Sequence, residues 1–236
     1  MNIKELLRDH LQYYNKNIEI NGWLRTVRKQ KNMCFMSIND GSTSKCLQVI
    51  CDLDSVDSKL NNLLQNLLTG YCLKVIGIMV KSPAKGQDIE MQLSKLIING
   101  SVDETYPFAK TRMNLETIRN YQHLRCRTGA FGCVFRIKSA ITHATHDFYR
   151  SEGYLHLDPN IITTNECEGG AGVFQVTEKD ISKLKNLKFD KKGEYIWKKD
   201  HFNKPTFLTV SSQLNLEALS CGLGPVYTTN KSFRSE

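Results

Sequence analysis

The sequence predicts an α+β protein in which a five-stranded β-barrel precedes a region of helices and short strands. Two patterns carry this prediction. Over the first hundred residues, short apolar runs alternate like half-buried strands, and turn residues separate them. After a polar stretch that begins near residue 99, the segment from Phe131 to Gly153 instead places its apolar residues at helical spacing. These two periods divide the chain into an N-terminal and a C-terminal part.

The composition is that of an ordinary globular chain long enough for two domains. It has 236 residues, of which 40% are hydrophobic and 24% charged. There is no long apolar run and no secretory signal, so we expect neither a membrane span nor export. Eight cysteines without a C-x-x-C pair argue against zinc and disulfides and favour reduced thiols in the cytoplasm. The net charge of +8 fits either a lysine-rich soluble surface or a nucleic-acid partner.

Five strand-like runs and one helix make up the N-terminal part. A short amphipathic helix over residues 2–14 precedes them. The runs cover residues 18–27, 33–38, 47–51, 72–80 and 89–98, and leucines at helical spacing occupy 54–68 between the third and fourth. This order is typical of an OB-fold barrel, which commonly binds oligonucleotides on one face.

The candidates for that binding face are the cations at and beyond the end of the first strand, a ring on the second strand and an amide on the third: Arg25, Arg28, Lys29, Lys31, Phe35 and Gln48. An arginine offers a phosphate contact, a ring offers a stacking platform, and an amide can read a base edge. The alternatives are a core position for Phe35 and a solvated surface amide for Gln48.

The predicted domains are the barrel at residues 1–104, a polar hinge at 105–130 and a second domain at 131–236. Arginines 112, 119, 125 and 127 of the hinge region either contact a phosphate backbone or are solvated. His143 and His146 have near-ligand spacing, but no third ligand accompanies them, so we expect no metal site there.

A glycine-rich loop with the sequence TTNECEGGAGVFQV occupies Thr163 to Val176. Its glycines suit a phosphate cradle or a moving lid, and a plain turn is the alternative. A lysine-rich stretch over residues 180–205 follows and is typical of a surface insertion. Ser211 and Gln213 then offer polar groups where a strand meets a helix.

Arg234 and Glu236 close the chain, two residues apart on a predicted strand from Val226 onward. Side chains at i and i+2 share one face of a strand. A guanidinium there binds phosphate or carboxylate with two parallel hydrogen bonds, and the carboxylate accepts from an amino group. A surface ion pair is the alternative interpretation.

Taken together, these segments resemble the asparaginyl-tRNA synthetases, class II aminoacyl-tRNA synthetases of the aspartyl, asparaginyl and lysyl subgroup. The resemblance begins near Ile18 and runs to the last residue. The strings that carry it are NGWLRTVRK, YPFAKTRMNLETIRNYQHLRCRT, NECEGGAGVFQVT, FLTVSSQLNLEALSCGLGPVY and FRSE. It implies an OB-fold anticodon-binding domain, and then the first part of an antiparallel-sheet catalytic domain from motif 1 to the start of motif 2.

The resemblance also implies a role for each matching residue. Arg234 would hold the ATP α-phosphate and the amino-acid carboxylate, and Glu236 would read the adenine amino group. Glu168 would hold the amino-acid ammonium group, in a loop that closes over the substrate. Ser211 and Gln213 would line the amino-acid pocket. The implied cofactors are ATP and Mg²⁺, and we expect no metal ligands within this chain.

The implied partners are asparagine, tRNA(Asn) and a second copy of the chain. Arg28, Phe35 and Gln48 would read the anticodon, with its central uridine stacked on the ring. A homodimer would form through the motif 1 region, residues 131–162. One departure concerns that interface, because Asn160 occupies the position of the motif 1 proline and Pro159 lies one place early.

Asparagine is preferred over aspartate because the segment from Leu214 to Glu217 lacks the lysine that pairs with aspartate in the aspartyl enzymes. Glu217 would accept a hydrogen bond from the substrate amide. Motif 3 and the rest of motif 2 are not among the 236 residues, so we expect these residues alone to bind tRNA weakly and to form no adenylate. Aspartate specificity and a non-catalytic, truncated RNA-binding relative are the competing interpretations.

Overall fold

The computed structural model describes residues 1–108, 113–165, 172–183, 185 and 187–235. They group into two compact units, Met1–Lys138 and Ser139–Glu236.

Five strands close into a barrel in the first unit. They are β1 (Asn17–Gln30), β2 (Met33–Asn39), β3 (Leu47–Asp52), β4 (Cys72–Lys81) and β5 (Ile89–Gly100), in the closed order β1-β2-β3-β5-β4. All neighbours are antiparallel except β3 and β5. Helix α2 (Ser58–Gln65) lies between β3 and β4 in the chain. The predicted OB-fold arrangement is confirmed.

The barrel core is made from every second residue of its strands. On β2 the buried positions are Cys34, Met36 and Ile38, and on β3 they alternate in the same way. Burial raises the pKa of the Cys34 thiol, and that of Cys51 to about 11, so both remain protonated at neutral pH. This core accounts for the period of two in the sequence.

Helix α1 (Ile3–Arg8) packs Ile3 and Leu6 into the same core. Its first turn is tied to the barrel because the Ile3 amide donates to Asp40 Oδ2 at 2.7 Å. The helix predicted over residues 2–14 ends earlier, at Arg8, and a 3₁₀ turn at His10–Tyr13 follows it.

Gly77 lies on β4 where the strand passes close to β5. A Cβ at this position would be 2.1 Å from the carbonyl oxygen of Gln92, and the strand register shifts between Ile76 and Gly77. The glycine that interrupts the apolar run of β4 thus permits a close approach of two backbones.

Arginines after the barrel stack on aromatic rings. Helix α3 (Leu115–Arg119) and a 3₁₀ turn (Arg125–Arg127) precede helix α4 (Gly129–Ser151). The guanidinium of Arg127 lies 4.6 Å from the Trp23 ring centre, and that of Arg125 lies 5.7 Å from Phe131. These contacts fix the segment to the barrel and to the start of α4, whereas Arg112 lies outside the described residues.

The second unit holds two short strand pairs and a helix. Strands β6 (Leu155–His156) and β9 (Val226–Tyr227) pair in parallel, and β7 (Ile162–Thr163) and β8 (Phe207–Leu208) pair antiparallel. Helix α5 (Gln213–Leu223) lies between β8 and β9 in the chain. Pro159 lies between β6 and β7 and has no amide to donate to a strand pair, so the two short strands are separate.

An aromatic cluster packs α4 against the β6–β9 pair. Tyr227 is buried and stacks on Tyr149 with ring centres 4.5 Å apart. Its hydroxyl lies 2.8 Å from Nδ1 of His146, whose ring also meets His156 edge-on at 4.7 Å. His146 therefore has a packing role. No helix in the described part of the chain is both long and apolar enough to cross a membrane.

Candidate nucleic-acid interface and amino-acid cleft

The outward face of β1, β2 and β3 carries three of the predicted base- and phosphate-binding residues. Arg28 on β1 lies opposite Phe35 on β2, and Ser37, two residues along β2, lies opposite Gln48 on β3. Residues two apart on a strand point to the same side, so Arg28, Phe35 and Gln48 share a face. Strand register therefore brings together three residues from separate parts of the sequence.

Phe35 is half-buried on this face and does not belong to the barrel core. Its immediate neighbours Cys34 and Met36 take the core positions instead. The ring lines a depression of about 690 Å³ together with residues 30–33 at the turn between β1 and β2. The core alternative for Phe35 is therefore wrong, because adjacent residues on a strand cannot both point inward.

Arg28 is exposed and lines a neighbouring groove of about 840 Å³ with the rest of residues 25–30 and the loop at 67–69. Lys29, next to it, donates from Nζ to the Gln65 carbonyl, which ties this lysine to the end of α2. Lys31, one of the predicted cations, and Asn32, which sequence reasoning did not select, also border the ring of Phe35. The position of Asn32 at the hairpin turn, next to a half-buried ring, is the signal that identifies it.

A cleft in the second unit brings Ser211, Gln213 and Glu217 together. It has a volume of about 730 Å³, and Tyr154 and Thr228 also line it. Sequence reasoning missed both: Thr228 follows β9, and Tyr154, far from α5 in the chain, precedes β6, which pairs with β9.

The start of α5 orients the polar groups of this cleft. Ser211 Oγ accepts a hydrogen bond from the Gln213 amide at 3.1 Å, which caps an otherwise unpaired donor of the first turn. One turn later, Glu217 Oε1 accepts from Gln213 Nε2 at 2.8 Å. The Glu217 carboxylate thereby orients the side-chain amide of Gln213, whose oxygen is left to accept a hydrogen bond from a ligand. The cleft thus offers carboxylate, amide and hydroxyl oxygens, which suit amino and amide hydrogens of a ligand.

Arg234 lies on a segment that hydrogen bonds fix on both sides. The Phe233 amide donates to the Thr209 carbonyl, and the Ser235 amide donates to the Gly172 carbonyl, both at 2.9 Å. Regular strand pairing ends at Tyr227, earlier than the sequence predicts, and the chain reaches Arg234 in irregular form. Arg234 is exposed and is not among the described residues that line the cleft.

Gly172, the described end of the glycine-rich loop, contacts this segment directly. A Cβ at Gly172 would be 2.2 Å from Ser235 Oγ, so only glycine allows the approach. Glu168 in the same loop and Glu236 at the chain end lie outside the described residues. The roles of Arg234, Glu168 and Glu236 therefore stay predictions.

Two family models match the chain, one for each part. Residues 18–99 match the OB-fold nucleic acid binding domain, and residues 114–236 match the class II tRNA synthetases (D, K and N). The chain belongs to the class II tRNA synthetases. The resemblance inferred from the sequence motifs is confirmed.

Curated relatives of this synthetase chain carry the name asparagine–tRNA ligase. The protein of Cytophaga hutchinsonii is 40% identical over 235 residues, which cover 99% of this chain and 49% of the relative. That of Protochlamydia amoebophila is 41% identical over 221 residues, or 93% of this chain and 46% of the relative. The chain thus spans about half the length of the curated relatives it matches.

Solved synthetase structures share the fold. Asparaginyl-tRNA synthetase from Pyrococcus horikoshii, complexed with asparaginyl-adenylate, superposes with a TM-score of 0.79 at 22% identity, covering all of this chain and 48% of the other. The enzyme of Entamoeba histolytica gives a TM-score of 0.72 at 20% identity over 94% of this chain and 46% of the other. Both parts of the predicted fold, the barrel and the class II synthetase region, are confirmed.

Proposed function

We propose that this chain provides the anticodon-binding barrel and the first half of the aminoacylation site of an asparagine–tRNA ligase that acts in the cytoplasm. Residues 1–104 would form the barrel domain, 105–130 the hinge and 131–236 the catalytic part. The observation that carries the proposal is the cleft in which Ser211, Gln213 and Glu217 meet within a class II synthetase chain. The names of the curated relatives support the same assignment.

Asparagine fits the cleft better than aspartate because of charge. The segment from Leu214 to Glu217 presents a carboxylate and no cation, and Glu217 already accepts from the Gln213 amide. A substrate carboxylate would face this negative charge without a partner, which is unfavourable. A substrate amide would instead donate to Glu217 and avoid that repulsion. Glu168 would hold the ammonium group of the same substrate.

Arg234 fits a phosphate or carboxylate ligand. The backbone amides on either side of it donate to the Thr209 and Gly172 carbonyls, so the segment that carries the guanidinium is anchored. ATP supplies the adenylyl group that activates the amino-acid carboxylate. Arg234 would bind the α-phosphate and that carboxylate together, and Glu236 would select adenine. The protein contributes mostly orientation and charge stabilisation to such a step.

Mg²⁺ is proposed as part of the nucleotide substrate. Within the described ranges, no group of three or more His, Cys, Asp or Glu side chains is arranged to hold a metal ion. In nucleotide sites Mg²⁺ is usually held by substrate phosphates with one or two protein carboxylates, so the ion would be bound mainly by the ATP phosphates.

The barrel would read the anticodon of tRNA(Asn). The half-exposed ring of Phe35 suits stacking with the central uridine, Arg28 suits a backbone phosphate, and Gln48 suits a base edge. The family model for this region is described as nucleic acid binding, which supports RNA as the ligand of the face.

A homodimer through the motif 1 region completes the proposal. Helix α4 exposes four large apolar side chains at helical spacing, each close to 60% exposed: Val134, Ile137, Ile141 and Phe148. Such a stripe on a helix is typical of a protein interface. A second copy of the chain is the partner that the family resemblance implies.

The test of substrate choice is ATP–pyrophosphate exchange with the product of the whole reading frame that encodes these residues. We expect exchange with asparagine and little with aspartate. Glu217→Gln should reduce the preference for asparagine, while the matched change Glu104→Gln, outside the cleft, should not. Exchange that is faster with aspartate would reject asparagine as the substrate.

A further inference from the structure

The segment between Thr177 and Thr206 is strongly basic. It contains nine lysines against five acidic residues: Lys179, Lys183, Lys185, Lys188, Lys191, Lys192, Lys198, Lys199 and Lys204. In the described part of the chain, only two of them form salt bridges, Lys179 with Glu178 and Lys183 with Asp180. The other seven are exposed. Their charge is therefore open to a ligand.

Residues 188–199, here called the lysine hairpin, form a folded loop. Phe189 and Tyr195 pair as an antiparallel bridge, and the Ile196 amide donates to the Lys188 carbonyl at 2.8 Å. The turn between them is closed by the Asp190 amide and the Glu194 carbonyl at 2.9 Å. The hairpin thus presents Lys191 and Lys192 at its tip, and a 3₁₀ turn follows with Lys198 and Lys199.

Asp200 anchors the base of the lysine hairpin. The residue is 6% exposed, and its carboxylate accepts from the hydroxyls of Thr177 at 2.5 Å and Tyr195 at 3.0 Å. It also accepts from the backbone amides of Glu178 and His201. A single buried carboxylate therefore joins the start of the basic segment to the hairpin.

Aromatic rings lie among these cations. Tyr195 packs edge-on against Trp197, with ring centres 4.9 Å apart, and against Phe189 at 6.0 Å. Phe189 is 51% exposed. Cations that follow a backbone, together with an exposed ring that stacks bases, are the combination that proteins use to bind single-stranded nucleic acid.

We propose that the lysine hairpin is a second RNA-binding surface, which contacts the phosphate backbone in addition to the anticodon contact of the barrel. An acidic protein partner would satisfy the lysines but would not need the exposed ring. RNA uses both, and the chain already carries an OB-fold nucleic acid binding domain. The inference rests on the proposed function only in taking tRNA as the RNA that is bound.

The experiment compares two charge variants of the 236-residue chain. The hairpin variant replaces Lys191, Lys192, Lys198 and Lys199 with Ala. The control variant replaces four exposed lysines of the first unit, Lys4, Lys59, Lys81 and Lys85, with Ala and loses the same charge. Binding of a tRNA(Asn) transcript is titrated at several salt concentrations. Circular dichroism confirms that both variants keep the fold.

Log K falls as log salt rises, and we expect this dependence to be less steep in the hairpin variant. The magnitude of the slope should decrease by at least about 1.4, the value for two lost phosphate contacts, with a smaller change in the control. Equal slopes for the two variants would overturn the inference. So would a hairpin-dependent binding to phosphatidylserine vesicles with tRNA binding unchanged, since a membrane would then be the ligand.

A barrel variant separates this inference from the proposed function. If Phe35→Ala weakens binding of an anticodon stem-loop and the hairpin variant leaves tRNA binding intact, the hairpin proposal fails and the anticodon proposal stands. If the hairpin variant lowers the salt slope while Phe35→Ala has no effect, the hairpin proposal stands and the anticodon assignment fails.

Discussion

The ring of Phe35 lies half-exposed on the outward face of the barrel, opposite Arg28 on β1 and Ile50 on β3. We predict that Phe35→Ala weakens binding of an anticodon stem-loop by about 1–3 kcal/mol, because one base loses its stacking partner. Phe35→Tyr keeps a ring and should retain most of the affinity. Fluorescence titration measures both, and unchanged affinity for a folded Phe35→Ala chain would reject the ring as the platform.

Asp200 is the residue through which we expect the stability of the fold to depend on pH. Burial raises the pKa of its carboxyl, but hydrogen bonds from Thr177, the His201 and Glu178 amides and Tyr195 outweigh this effect and hold the pKa at about 2. The folded pKa lies below the usual value of 3.8, so the charged form stabilises the fold. That contribution is complete above about pH 4 and is lost as the pH falls toward 2.

Trp197 fluorescence in a Trp23→Phe background reports on this transition, since these are the two tryptophans of the chain. We expect an acid transition between about pH 4 and 2 near Trp197. Asp200→Asn should remove that transition and destabilise the segment at neutral pH by about 1–3 kcal/mol, because the buried donors lose a charged acceptor. An identical acid transition in Asp200→Asn would contradict the assignment.

At the scale of elements, α4 is the helix whose exposed side is apolar. Ile137 and Ile141 are 58% and 60% exposed and lie one turn apart. We predict that Ile137→Glu with Ile141→Glu shifts a dimer toward monomer, since charge would be buried unpaired at the interface. Ser139→Glu, about 200° around the helix from Ile137, is the matched control and should leave the dimer intact. Sedimentation velocity distinguishes the outcomes, and a dimer that survives the double change must form elsewhere.

At the scale of the whole molecule, the chain spans about half the length of its curated relatives. The family resemblance assigns the ATP clamp jointly to motif 2 and to motif 3. We predict that residues 1–236 alone bind tRNA but give no asparagine-dependent pyrophosphate exchange, because positioning of the reactants contributes roughly 7–11 kcal/mol. Robust exchange by the purified 236-residue chain would show that the site is complete within it or is completed by a partner chain.

The sequence by itself determined the order of the barrel strands, the long helix α4 and the family. Period-two alternation and turn residues mark the strands without reference to any distant residue. The leucines of α2 mark a helix in the same local way. Family motifs are equally local, because each is a short string in a fixed order. The boundaries of weak elements were less certain, as β9 shows by ending at Tyr227.

Only the tertiary structure decided which side chains meet. The outward position of Phe35 follows from the register of β2 between β1 and β3, and the stacking of Arg127 on Trp23 joins residues a hundred positions apart. Asp200 looked like one charge among many in a basic stretch, yet it is the buried anchor of that stretch. Such contacts depend on the closure of loops between distant residues, which the local periodicity of a sequence does not encode.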